Sequence, residues 1–155
     1  MLKQKSAGRS HPEFHLQCQV SKYLELQYPD VEFMSDTVAF LGLTAPQKAR
    51  NKKIQKSSFR CPDLLILEPN KGYAGLFIEL KVESPFTKDG NLKKQKVNVY
   101  KTIAGQRVIV DSYNHLEEQQ KTIDRLNAKG YKALFSWGFD MTKKIIDDYL
   151  NAKNY

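Results

Sequence analysis

Two apolar runs joined by a turn constrain this chain more than any other feature. Leu64-Leu65-Ile66-Leu67 contains no polar residue. Glu68-Pro69-Asn70-Lys71-Gly72 carries turn chemistry, and Gly75-Leu76-Phe77-Ile78-Glu79-Leu80-Lys81-Val82 resumes the apolar pattern. Runs this short, bounded by Gly and Pro, predict two strands of a hairpin. Both faces are apolar near the start, so the hairpin belongs in the centre of a sheet. Side chains two apart on a strand share a face. Phe77, Glu79 and Lys81 therefore share one face, and Leu76, Ile78, Leu80 and Val82 the other. An acid and a base stand on one side of an otherwise apolar strand, with Asp63 at the mouth of the strand before it.

The remaining pattern supplies helices and further strands. Residues 1–10 read as a flexible basic tail. Ser10-His11-Pro12-Glu13 reads as a helix start, with Ser10 as N-cap, Pro12 in the first turn and Glu13 at the third position. Leu16, Val20, Tyr23, Leu24 and Gln27 follow at helical spacing, and Pro29 ends the element. Val31 to Met34 reads as a short strand that Thr37 to Leu41 extends or follows. Residues 42–60 show neither periodicity and read as a mobile basic loop. Residues 83–94 are polar, with Asp89-Gly90 as a turn. Val97 to Tyr100 and Val108 to Val110 predict a smaller hairpin around Ala104-Gly105. A helix follows from about Leu116 to Lys129, with Asn114 as cap and Gly130 as its stop. Tyr131 to Trp137 is a strand. Asp140 caps a last helix with Met141, Ile145, Tyr149 and Leu150 as its buried stripe. There are no internal repeats and no low-complexity tract. The order predicts an α/β fold with a mixed sheet and helices packed on it, as a single domain over 11–152.

Composition narrows the partners. The net charge is +8 over 155 residues. Such a surplus suggests a polyanion, of which nucleic acid is the commonest, although it also suits a merely soluble basic protein. Lys48, Arg50, Lys52, Lys53, Lys56 and Arg60 occur with no acidic residue among them, and Lys93, Lys94 and Lys96 form a second cluster. The N-terminal MLKQKSAGRS has no apolar core and does not read as a secretory signal. No apolar run approaches the roughly 20 residues that span a bilayer. An intracellular, reducing compartment is expected, with Cys18 and Cys61 as free thiols. Two cysteines and three scattered histidines offer no zinc spacing. His11, His15 and His115 read as surface or capping residues, and Tyr131 and Trp137 as packing against the sheet.

Asp63, Glu79 and Lys81 are the residues with chemistry to offer. Two carboxylates held close together repel, and burial of either is expensive unless it is compensated. A divalent cation answers both problems. Mg²⁺ accepts one or two carboxylates and several waters, and there it can activate water and polarise a phosphodiester. Lys81 would orient the attacking water or offset transition-state charge. The bland alternative is a Glu79–Lys81 ion pair on an edge strand, with Asp63 as a turn residue.

Pro62-Asp63 followed by Glu79-Leu80-Lys81 resembles the PD-(D/E)XK nuclease signature. The surrounding sequence is similar to one branch, the virus-type replication-repair nuclease (VRR-NUC) domain. That branch occurs as standalone phage and bacterial proteins and as the C-terminal domain of a Fanconi-associated eukaryotic nuclease. The likeness continues through Leu116-Glu117-Glu118-Gln119, Leu126, Gly130-Tyr131, Gly138-Phe139-Asp140 and Tyr149-Leu150. It covers about 10–150 except an insertion at about 84–112, which leaves the shape of a DNA groove open. It implies a restriction-endonuclease-like core and hydrolysis of DNA with Mg²⁺ or Mn²⁺. Branched substrates such as Holliday junctions, repair or recombination roles and a homodimer belong to the same implication. Asp63, Glu79 and Lys81 would be catalytic. Glu13 and the backbone carbonyl of Leu80 would join Asp63 and Glu79 at the metal, with Glu13 equally readable as a helix-capping residue. Gln119 would be an accessory to the site or to DNA, or a cap. Cys61 departs from the small residue that relatives often carry before Pro-Asp, and is expected to pack. A non-catalytic nucleic-acid-binding protein and a sequence-specific restriction-type endonuclease are the rival readings.

Overall fold

The computed structural model describes residues 11–36 and 42–151. In chain order they form α1 (Pro12–Gln27), β1 (Phe33–Ser35), α2 (Ala45–Ile54), β2 (Leu64–Ile66), β3 (Leu76–Lys81), β4 (Lys96–Ile103), β5 (Gln106–Asn114), α3 (His115–Asn127), β6 (Lys132–Trp137) and α4 (Phe139–Leu150). The tail at 1–10, with Ser10, and the stretch Thr37 to Leu41 lie outside the described residues. No helix among the described residues is long and apolar enough to cross a membrane.

The hairpin sits in the middle of a four-stranded sheet ordered β1-β2-β3-β6. β1, β2 and β3 pair antiparallel, whereas β3 and β6 run parallel, with Leu76 opposite Lys132 and Lys81 opposite Trp137. The alternation read from the sequence sorts the core into two layers. Leu64, Ile66, Leu76, Ile78 and Leu80 pack with Leu16, Val20 and Leu24 of α1 and Ile146 and Tyr149 of α4. Phe77, Ala133 and Phe135 pack on the other face with Leu116, Ile123 and Leu126 of α3. Tyr131 stacks on Phe77 at 4.8 Å, and Trp137 meets Phe86 edge-on at 6.0 Å. Ile78 is fully buried, so truncating it to Ala would cost about 2–5 kcal/mol.

The helix starts depart from expectation. α1 begins at Pro12, so its N-cap is His11 and Glu13 is its second residue; the N-cap makes no side-chain capping hydrogen bond. α4 begins at Phe139, with Gly138 as N-cap at φ +65°, a conformation that suits glycine and displaces Asp140 from the cap. Its buried stripe is Thr142, Ile146 and Tyr149, with Ile145 and Leu150 half-buried beside it. Thr142 is a polar member of this stripe because its hydroxyl bonds Ser136 Oγ at 2.7 Å and the Gly138 carbonyl.

Residues 42–60 are not simply a loop, because Ala45–Ile54 is helical. Gln47 Oε1 accepts the Thr44 amide at 2.8 Å, and Pro46 occupies the first turn, which favours a start here. No residue of α2 is buried, so no apolar stripe announces it.

The insertion forms a long two-stranded ribbon apart from the main sheet, β4 pairing β5 antiparallel. Ala104 and Gly105 both take positive φ, the conformation of the tight hairpin turn whose twist matches the strands. The base is clasped by the His115 amide on the Gln95 carbonyl at 2.8 Å and the Gln95 amide on Asn114 Oδ1 at 3.0 Å.

Candidate active site

The β2–β3 ladder ends where Leu64 faces Ile78. Beyond that point the Leu80 amide donates to Asp63 Oδ2 at 2.8 Å, so the side chain continues what the backbone ladder stops providing. Gln17, buried on α1, donates to the Asp63 carbonyl at 3.1 Å and the Asp36 carbonyl at 3.4 Å. One helix side chain thereby ties together the chain leaving β1 and the chain entering β2.

Glu79 is 4% exposed and, among the described residues, the one charged side chain in the buried core. It receives Lys81 Nζ at 2.9 Å and the Gln119 amide on the same oxygen. Strand alternation places Glu79 and Lys81 together, and α3, packed across Phe77, brings Gln119 to them. Burial first, and the neighbouring Asp63 charge second, push the Glu79 carboxyl up to about 8, against the opposing pull of Lys81. Burial also raises Asp63, while the Lys81 charge and the Leu80 amide act in the other direction. One ammonium therefore serves two carboxyl groups that resist being charged together.

These groups open on a cleft of about 550 Å³. Glu13, Arg60, Cys61, His115 and Gln119 line it with the central trio. Cys61 is a half-buried free thiol, with its pKa raised by burial and the surrounding carboxylates. Cys18 is free and exposed. His115, expected at the surface or as a cap, instead joins the cleft wall as the first residue of α3. Burial lowers its pKa first, with the charges of Lys81 and Arg60 adding to the effect.

The donor set can be tested against a cation. Among the described residues no three His, Cys, Asp or Glu side chains converge closely enough to hold a metal by themselves. Asp63 and Glu79 do converge, and the buried Gln119 Oε1 in the same cleft has no hydrogen-bond partner. Two carboxylates and an uncommitted amide oxygen suit Mg²⁺, which retains several waters. Glu13 stands exposed on the cleft wall, and its charge reaches Asp63 and raises that carboxyl further.

The basic residues divide. Lys48, Lys52, Lys56 and Arg60 line a second groove of about 370 Å³. It shares Asn51, Gln55, Phe59 and Arg60 with the cleft, so the two form one continuous surface. Lys48 and Lys52 are four apart on α2 and share its face. Arg50 and Lys53 line neither groove, and nor do Lys93, Lys94 and Lys96. Lys93 Nζ instead holds the Ser84 carbonyl at 2.7 Å.

No family model matches the sequence. No curated protein matches it either. A solved structure described as a VRR_NUC domain protein does, over 92% of this chain and 91% of its own, with a TM-score of 0.55 and 18% identity. The likeness shows the fold alone: an α/β core with a mixed sheet flanked by helices, shared with that structure.

Proposed function

We propose that this chain is a metal-dependent nuclease that hydrolyses phosphodiester bonds in DNA, with Asp63, Glu79 and Lys81 as its catalytic residues. The observation that carries the reading is Glu79, buried beside Asp63 with Lys81 at 2.9 Å. A structural ion pair has no need of a second, half-buried carboxylate on a cleft.

Asp63, Glu79 and the Leu80 carbonyl would hold Mg²⁺ or Mn²⁺, with Glu13 reaching from the wall. When bound, the cation supplies a lowered pKa for water and polarisation of the phosphodiester. Lys81 positions the attacking water and offsets charge growing on the phosphate oxygens. Gln119 fixes the Glu79 carboxylate through its amide. Lys48, Lys52, Lys56 and Arg60 hold the DNA backbone in the adjoining groove without reading bases.

The finer reading is an endonuclease acting on branched DNA such as Holliday junctions, supported by the sequence resemblance and the VRR-NUC-type fold. A homodimer would cut two strands symmetrically. The ribbon favours such an assembly. By register, Val99, Ile103 and Val108 share one face and Tyr100 and Ile109 the other, all exposed. A ribbon alone in water is marginal, and exposed apolar patches mark association surfaces.

Four-way junctions and random linear duplexes, incubated side by side in Mg²⁺, Mn²⁺ and EDTA, test the proposal. Junction cleavage that needs the cation is the expected result. Binding without cleavage under either cation would favour the non-catalytic reading. Cutting of linear duplex at one sequence would favour the restriction-type reading.

A further inference from the structure

Arg60 and His115 come from opposite sides of the cleft's chemistry. Arg60 lies three residues before Asp63, in the segment that follows α2, and His115 opens α3. Both line the cleft that holds Asp63, Glu79 and Lys81. Arg60 Nε and His115 Nδ1 are buried and have no hydrogen-bond partner among the described residues. The Arg60 guanidinium makes no ion pair there either, although Glu13, Asp36, Asp63 and Glu79 line the same cleft. Its ring contact is Tyr113, with the guanidinium carbon 5.8 Å from the ring centre, and Tyr113 is also the neighbour of the His115 ring at 6.4 Å.

The position of Arg60 is fixed without engaging its charge. Its backbone amide donates to Thr122 Oγ1 at 3.2 Å, on the turn of α3 that follows Gln119. Arg125 Nη2 holds the same hydroxyl at 3.1 Å and also bonds the Ser58 carbonyl. The backbone before Pro62-Asp63 is therefore docked on α3, while the guanidinium is left uncommitted. A half-buried cation without a counter-ion is costly unless a ligand supplies the charge.

We infer that Arg60 and His115 form a phosphate-binding subsite next to the carboxylate pair, which seats a phosphate of the nucleic-acid backbone beside the one attacked. The site is distinct from the Asp63–Glu79 metal position and adjoins the lysine groove of α2, with which it shares Arg60. It rests on the nuclease reading only for the origin of the phosphate, as part of a nucleic-acid strand. Arg60 supplies a charged fork suited to phosphate oxygens, and His115 supplies a nitrogen that can donate in the neutral ring. The charges of Lys81 and Arg60 already act on the imidazole, which places all three nitrogen groups in one field.

The test uses the full chain in EDTA, so that cleavage and metal binding play no part. Inorganic phosphate and then a 5′-phosphorylated dinucleotide are titrated and followed by imidazole and backbone amide NMR. The expected result is saturable movement of the His115 imidazole and of amides near Arg60, with the dinucleotide binding tighter than phosphate alone. Arg60→Met and His115→Phe keep bulk and lose the donors, and each should weaken phosphate at least about tenfold. His115→Gln, checked by circular dichroism, replaces His115→Phe if that variant does not fold, and should retain part of the affinity. An unmoved His115 at saturating phosphate overturns the proposal. So do parental affinities in both Arg60→Met and His115→Phe, or shifts confined to α2 amides around Lys48 and Lys52. Cleavage of DNA by the parent in Mg²⁺ separates the two readings: phosphate binding at Arg60 and His115 without cleavage would keep the subsite and remove the nuclease, and cleavage without such binding would do the reverse.

Discussion

The Asp63 carboxylate accepts the Leu80 amide at 2.8 Å, at the point where the backbone ladder between their strands has ended. This bond orients one carboxylate of the site from the strand that carries the other. Its loss should uncouple Asp63 from Glu79 without disturbing the apolar layer beneath, where Leu80 is packed with α1 and α4.

Asp63→Ala, Glu79→Ala and Lys81→Ala should each lower DNA cleavage on the order of 10²–10⁴-fold. Binding of uncut DNA in EDTA should survive in all three. Calorimetric titration of Mn²⁺ should show weaker binding in the carboxylate variants and nearly parental binding in Lys81→Ala. A Glu79→Ala protein that cuts at the parental rate would place the reactive groups elsewhere.

Glu79 gives the metal-free protein a pH dependence of known sign. Its folded pKa, about 8, lies above its ordinary value of 4.5. The folded state thus holds the proton more tightly than the unfolded chain does. The associated stability is fully present below about pH 4.5 and is lost as pH rises through 8. Thermal unfolding in EDTA should fall across that window more steeply in the parent than in Glu79→Gln. Mg²⁺ should flatten the parental slope, because a bound cation favours the ionised carboxylate. Equal slopes for parent and Glu79→Gln in EDTA would contradict the assignment.

The lysine face of α2 predicts a difference between residues that composition alone treats as equal. Replacing Lys48, Lys52 and Lys56 with alanine should weaken binding to all duplexes alike and reduce the salt slope by about 0.9 for each phosphate no longer neutralised. Replacing Arg50 and Lys53, which line neither groove, should change the slope much less. Fluorescence anisotropy over a range of salt concentrations reads both. Identical slopes in parent and triple variant would reduce the lysines to a solvated surface.

Gln119→Leu should leave the fold in place and lower cleavage, since it removes the amide that holds Glu79. Gln119→Glu should be worse, because it adds a further carboxyl beside Asp63 and Glu79, which already resist being charged together. Parental activity in Gln119→Leu would make the interaction purely structural.

The central hairpin was legible because its signal is local: an apolar run, a turn and a second run whose alternation separates Glu79 and Lys81 from Leu76, Ile78 and Leu80. The parallel partner β6 and the arrival of Gln119 follow from the same logic, one step removed. α2 escaped because it buries nothing; Thr44, Pro46 and Gln47 were its available signal, and they mark a start without a stripe. Gln17 reads as a polar neighbour of Leu16 in sequence, and only the approach of β1 and β2 shows what it binds. His115 has no motif at all. It reaches the cleft because the ribbon returns to its own base before α3 begins.

That return has a consequence for how the chain tolerates its insertion. The hydrogen bonds between Gln95, Asn114 and His115 bring the two ends of the ribbon side by side, so β3 and α3 are connected as if by residues 82–95 alone. The entropy of closing a flexible loop grows only logarithmically with its length, by about 0.6 kcal/mol per doubling. An excursion pinned at its root can therefore lengthen, shrink or change sequence while the strands around Glu79 keep their pairing. Among the described residues the ribbon is thus a segment whose length can change without disturbing the central sheet, and a natural place for one version of the scaffold to be adapted differently from another.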